Sequence, residues 1–160
     1  MFTNHARVAL PLAAVPVLAL AAAAETPPAD GKPVSEIIAS VEEANDGAAI
    51  TSIEFDEGLW EVDLVEEGAG VKVYLDPRSG EEVRRGADDP EDERPPADGK
   101  KLSEILASLE EKDLGTICEV EFDDRYWEVE VKKDGRERTI RVDPKTGEPR
   151  SSPRAMGSGQ

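Results

Sequence analysis

Residues 28–43 read PADGKPVSEIIASVEE and residues 96–111 read PADGKKLSEILASLEE, and this pair decides the fold. Twelve of the sixteen positions are identical, and three of the four differences exchange one aliphatic side chain for another. After a one-residue deletion the match resumes at an offset of 67: Ile53-Glu54-Phe55-Asp56 answers Val120-Glu121-Phe122-Asp123, and Trp60-Glu61-Val62-Asp63 answers Trp127-Glu128-Val129-Glu130. Leu75 to Glu81 then answers Val142 to Glu148. A match sustained over three separate blocks is a duplication, so one copy must be a small supersecondary unit and the chain two of them.

Each copy opens with a helix. Val34, Ile37, Ile38 and Val41, and then Leu102, Ile105, Leu106 and Leu109, fall at i, i+3, i+4 and i+7, which places four aliphatic side chains on one stripe. Asp30 or Ser35 is expected to cap the first helix and Asp98 or Ser103 the second, with Gly47 and Gly115 as left-handed stops. Three strands with period-two alternation follow. In the second copy Cys118, Val120 and Phe122, then Trp127, Val129 and Val131, then Ile140 and Val142 share one face, opposite a charged one. The first copy repeats this with Ile53 and Phe55, then Trp60, Val62 and Leu64, then Val71, Val73 and Leu75. Asp134-Gly135 is a two-residue hairpin signal, whereas Glu66 to Gly70 reads as a looser, Gly-rich loop. The expected class is α+β: two tandem copies of a helix packed on a three-stranded antiparallel meander, each core marginal alone; packing of one copy on the other would stabilise both, but the sequence does not decide whether they form one unit.

The flanks bound the rest. Met1 to Ala24 has Arg7, an apolar Ala-rich run and small residues before Glu25, the layout of a secretory signal peptide cleaved after Ala24, so the protein is expected in the periplasm or secreted. The repeats are then residues 28–83 and 96–150, joined by a charged linker at 84–95 and followed by a disordered tail at 151–160.

A helix with an aliphatic stripe, an aromatic-Glu-Val-acid strand, a Gly turn and a closing aliphatic-Asp-Pro-x-[Ser/Thr]-Gly-Glu segment is similar to the PepSY domain pattern. It occurs at Trp60 to Leu64 with Leu75 to Glu81, and at Trp127 to Val131 with Val142 to Glu148. The resemblance implies a non-catalytic module of the kind found in propeptides of thermolysin-like metallopeptidases and in stand-alone exported proteins. It also implies a role in restraining peptidases by binding.

The residue chemistry points the same way. His5, the only histidine, lies in the segment expected to be removed, which leaves no imidazole for a nucleophile pair or a metal site, and the chain holds no HExxH. Cys118 is the single cysteine and reads as a small core residue. No cofactor-binding, metal or catalytic residues are expected. Thirty-six acids against 19 Lys and Arg give a net charge of −17, which disfavours nucleic acid and anionic membranes and favours cations or a basic partner peptide. The charge is uneven: residues 28–83 hold 15 acids and 3 bases, residues 96–150 hold 15 acids and 11 bases. The candidate partner-binding residues are therefore Glu54, Asp56, Glu61 and Asp63 on the charged sheet face, for a protein or basic peptide such as a segment of an exported peptidase. Lys72 and Arg141 are expected to pair with such acids across the hairpins. The alternative is an acidic envelope protein that responds to Ca²⁺. The Asp-Pro-x-[Ser/Thr]-Gly-Glu segments read as turns, and Trp60 and Trp127 as core anchors.

Overall fold

The aliphatic stripes form helices α1 (Val34–Ala44) and α2 (Leu102–Glu111) in a computed structural model that describes residues 25–150. The alternating segments form β1 (Ala49–Asp56), β2 (Leu59–Glu66) and β3 (Ala69–Leu75), then β5 (Thr116–Asp123), β6 (Tyr126–Lys133) and β7 (Arg136–Val142). Each series gains a fourth strand that the sequence did not show, β4 (Glu82–Asp88) and β8 (Pro149–Arg150). Arg84 to Asp88, expected to begin the linker, instead pairs with β3, so the connecting segment starts at Asp89. The reason it was missed is physical: every residue of β4 is exposed, so the strand carries no apolar alternation. The expected signal peptide and tail lie outside the described residues. Among the described residues, no helix is long and apolar enough to cross a membrane.

The α+β class holds, but the strands do not form two separate sheets. They make one antiparallel sheet in the order β4-β3-β2-β1-β5-β6-β7-β8. The join is β1 against β5, where Ser52, Ile53 and Glu54 face Glu121, Val120 and Glu119. Because α1 also packs on α2, side chains from both halves enter a single buried cluster. Trp60 and Trp127 anchor it, each 2% exposed and edge-on to Phe55 and Phe122 at centroid distances of 5.2 and 5.1 Å. Burying side chains of this size contributes about 1.5–3 kcal/mol each, and a core shared by two halves removes more apolar surface from water than either small half would alone.

Cys118 is fully buried, as expected, but it sits at a register shift between Ile117 and Glu119 rather than within the regular alternation. Thr51 occupies the matching shift between Ile50 and Ser52, and donates to the Asp63 carbonyl at 3.3 Å. Burial pushes the Cys118 thiol pKa up, which keeps it protonated.

Neither helix start is capped as expected. Asp30 pairs with Arg78 and Asp98 with Lys145, and the cap positions are Pro33 and Lys101, which offer no side-chain acceptor. The acceptor comes from the opposite helix. The Ser103 amide and hydroxyl donate to Glu42 at 3.3 and 2.5 Å, while the Ser35 amide donates to Glu110 at 3.3 Å and its hydroxyl to the same carboxylate. Each helix thus places a carboxylate from its last turn on the amino-terminal turn of the other, where it meets the positive end of the helix dipole. At the other end of α2 Asp113 takes the left-handed turn first, at φ 48°, and Gly115 follows at φ 137°.

The turn segments explain the recurring motifs. Asp76 Oδ1 accepts from the Arg78 and Ser79 amides at 2.9 and 2.8 Å, Asp143 Oδ1 does the same for Lys145 and Thr146, and Gly80 and Gly147 take φ of 74° and 73°. The Pro77 carbonyl then accepts from the Lys32 amide at 2.8 Å and the Pro144 carbonyl from Lys100 at 2.9 Å, which pins the PADGK lead-in of each helix to its own closing turn. Glu66 to Gly70 is not loose. Glu67 and Gly68 both take positive φ, giving the same tight hairpin as Asp134-Gly135.

Candidate functional site

The face of the sheet remote from the helices carries the charge, because period-two alternation sends every second side chain there. Cross-strand register then aligns the acids in rows. Glu61 lies opposite Glu54, Glu54 opposite Glu119, and Glu119 opposite Glu130, so one row runs through β2, β1, β5 and β6. The adjacent row is Asp63, Ser52, Glu121 and Glu128. Like charges set directly opposite one another oppose sheet pairing, so this arrangement is not explained by folding.

Basic residues serve the margins only. Lys72 Nζ stands 3.5 Å from Glu61, 3.4 Å from Asp63 and 3.6 Å from Asp88, and Arg141 holds Glu128 at 2.5 Å and Asp124 at 3.7 Å. Both expected hairpin pairings are therefore present. Glu54, Glu119 and Glu121, at the seam of β1 and β5, have no ion pair among the described residues. Partial burial raises the pKa of all three, and their acidic neighbours raise it further: Asp56 and Glu61 for Glu54, Glu54 and Glu130 for Glu119, and Asp123 and Glu91 for Glu121.

The four expected residues separate on inspection. Glu54 is exposed and central, and Asp56 is half-buried at the hairpin end. Glu61 and Asp63 lie beneath Lys72, their side chains 18% and 20% exposed, and the Ser52 hydroxyl donates to Asp63 at 2.6 Å. The sequence leads one to expect an acidic face on both copies, with the candidate partner-binding residues on the first alone. The register shows that Glu119, Glu121, Glu128 and Glu130 of the second copy continue the same face. The signal for these was present in their alignment with the first copy's acids, but only the β1–β5 join brings the two sets together.

The connecting segment lies across this face. Gly70, on β3, has room for no side chain: a Cβ there would stand 2.5–2.6 Å from Asp88 O, Asp89 C and Pro90 N. The chain continues to Glu91, which meets Ser52, Glu54, Glu119 and Glu121 around a depression of about 140 Å³. Residues Asp89 to Glu93 form an acidic strap over an acidic surface, held at one end by the Lys72–Asp88 pair and by the missing side chain at Gly70. In the second copy the residue aligned with Gly70 is Glu137, so the strand itself does not require glycine. Among the described residues no group of three or more His, Cys, Asp or Glu side chains is arranged to hold a metal ion.

The profile of the peptidase propeptide and YPEB domain family matches residues 5–86 and again residues 87–152. No curated protein matches the chain. A solved structure of a candidate lipoprotein from Clostridium difficile 630 is similar at 18% identity and a TM-score of 0.46, covering 74% of this chain and 90% of that one. With nearly the whole chain matched in two consecutive segments, this protein belongs to the peptidase propeptide and YPEB domain family, PepSY, as a tandem pair of its modules.

Proposed function

We propose that the chain is an exported, non-catalytic binding protein, active in the periplasm or outside the cell. In this reading two copies of one helix-and-meander module join edge to edge, and the acidic sheet face docks a basic, extended segment of a partner protein. The family's description brings an exported peptidase forward as the partner class. The observation that carries the reading is the seam at Glu54, Glu119 and Glu121, where aligned carboxylates lack basic partners. A basic segment laid there would relieve repulsion that the free protein sustains, so binding gains from groups that cost stability in its absence. Glu61 and Asp63 contribute mainly at the edge, since Lys72 already occupies them.

The test is titration of a Lys/Arg-rich peptide into the full chain at low and high salt, alongside a variant in which Glu54, Asp56, Glu61 and Asp63 are all changed to Lys. Salt-sensitive binding that the charge reversal abolishes supports the reading, and unchanged affinity in the variant would overturn it. Parallel assay of a thermolysin-type metallopeptidase, with and without the protein, tests the partner class.

A further inference from the structure

The two copies differ most informatively at one turn. The β1–β2 hairpin turns on Glu57 and Gly58, at φ of 48° and 82°, and the β5–β6 hairpin turns on Asp124 and Arg125, at φ of 46° and 70°. The scaffold thus accepts glycine in the left-handed second position, yet the second copy places a long side chain there against its backbone preference. That side chain borders a cleft of about 520 Å³, a size typical of ligand sites, walled by Phe122, Tyr126, Pro96 and Pro144. Leu59 stands where Tyr126 does, so the first copy lacks both residues.

The charge around the cleft runs against that of the molecule. Arg125 and Arg94 line it, and neither makes a hydrogen bond or ion pair among the described residues. Of the other charged groups on its wall, Lys145 is held by Asp98 at 2.7 Å, and Asp143 is held by Arg150 at 3.0 Å and by its own turn. Only Glu93 remains as an uncommitted acid. Two further guanidiniums, of Arg141 and Arg150, stand 5.7 and 5.8 Å from the Tyr126 ring centroid. Two unpaired Arg beside an apolar wall, in a protein of charge −17, is a site for an anion attached to an apolar group.

We infer that this cleft binds the carboxyl-terminal residue of a peptide chain, its carboxylate between Arg94 and Arg125 and an apolar or aromatic side chain against Phe122 and Tyr126. A chain end fits better than a free small acid because the cleft is open to solvent on one side, which leaves a path for the rest of the chain and further contacts along it. Glu93 then discriminates against a second acid in the ligand. This site is separate from the acidic sheet face and takes a ligand of opposite charge, so it stands or falls independently of the proposed docking of basic segments.

The experiment is calorimetric titration of the full chain with acetyl-Ala-Ala-Phe as the free acid and as the carboxamide, with 3-phenylpropionate as the small-acid arm. The free acid should bind saturably, and the amide roughly tenfold or more weakly. Arg125→Gly, which copies Gly58, should weaken the free acid by a similar factor while the melting temperature holds or rises, and Arg94→Gln should weaken it without unfolding the protein. Equal binding of acid and amide, or full affinity in both variants, would overturn the inference. Phenylpropionate binding as tightly as the peptide would overturn the choice of a chain end.

Discussion

Substituting Glu42 or Glu110 with Ala tests the contact by which the two copies complete each other. Each carboxylate accepts one helix-start amide at 3.3 Å and one Ser hydroxyl, and both Ser35 and Ser103 are buried. A hydrogen bond to a charged acceptor contributes about 1.5–3 kcal/mol, and loss of a helix amino-terminal cap costs about 1 kcal/mol. Because the amide contact is long, the lower end applies, about 1.5 kcal/mol for each site. The two sites share no partner, so the double variant should lose about 3 kcal/mol. For a chain of this length that is a fall in Tm of about 3–6 °C for either single change and about twice that for both. Glu43→Ala, one residue along the same exposed turn, is the control and should stay within about 0.5 kcal/mol. Scanning calorimetry and urea unfolding measure this directly. If Glu42→Ala and Glu110→Ala cost no more than the control, the exchanged caps do not hold the halves together. If the wild type unfolds in two steps, the single core is not a cooperative unit.

Gly70→Val should expel the strap, because its new methyl groups would occupy the space of the Asp88 to Pro90 backbone while β3 itself gains strand propensity. Hydrogen exchange should rise over residues 88–93 with β3 protected, and unchanged exchange there would refute the role given to this glycine. The pKa values of Glu54, Glu119 and Glu121 are raised in the fold, so the native state binds protons more tightly than the unfolded chain and these groups lower stability as pH rises through and above the ordinary Glu pKa of about 4.3. Asp30, Asp76, Asp98 and Asp143 shift the other way, through side-chain hydrogen bonds from Arg78, Lys145 and Arg150 and, for Asp76, turn amides, and their contribution is lost as pH falls below the ordinary Asp range. Stability should therefore peak in mild acid, and Glu54→Gln with Glu119→Gln and Glu121→Gln should flatten the decline toward neutral pH. A triple variant with the wild-type pH profile of Tm would refute that assignment.

The helix stripes, the alternating strands, the Asp-Pro turns and the tryptophan anchors were legible because each depends on local periodicity or local turn chemistry. Strand β4 was not, since Glu82 to Asp88 is exposed throughout and its side-chain contacts, Arg84 over Tyr74, Arg85 with Glu66 and Asp88 with Lys72, are made across strands and leave no apolar alternation. The helix caps were misread for a related reason. Ser35 and Ser103 were recognised as residues suited to a helix start, but their acceptors, Glu110 and Glu42, stand 75 and 61 positions away. Those two acids are identical in both copies and lie off the apolar stripe, which was the available signal. Of the candidate site, the charged face and the pairing of Lys72 and Arg141 could be read from alternation, while the rows of acids required the β1–β5 register.

Duplication gives a physical control within one molecule, because a feature needed by the fold should appear in both copies. The Asp-Pro turns, the Trp–Phe contacts and the exchanged carboxylates all pass that test. Gly70 and Arg125 do not: their counterparts are Glu137 and Gly58, and each is the opposite of what its backbone position prefers. Glycine weakens a strand that elsewhere tolerates Glu, and arginine strains a turn that elsewhere uses Gly. Gly70 is therefore required by the strap packed on it and not by the strand, while Arg125 answers to no packing need of its turn, so the two positions mark where the copies diverge: the strap across the acidic face and the basic cleft beside Tyr126.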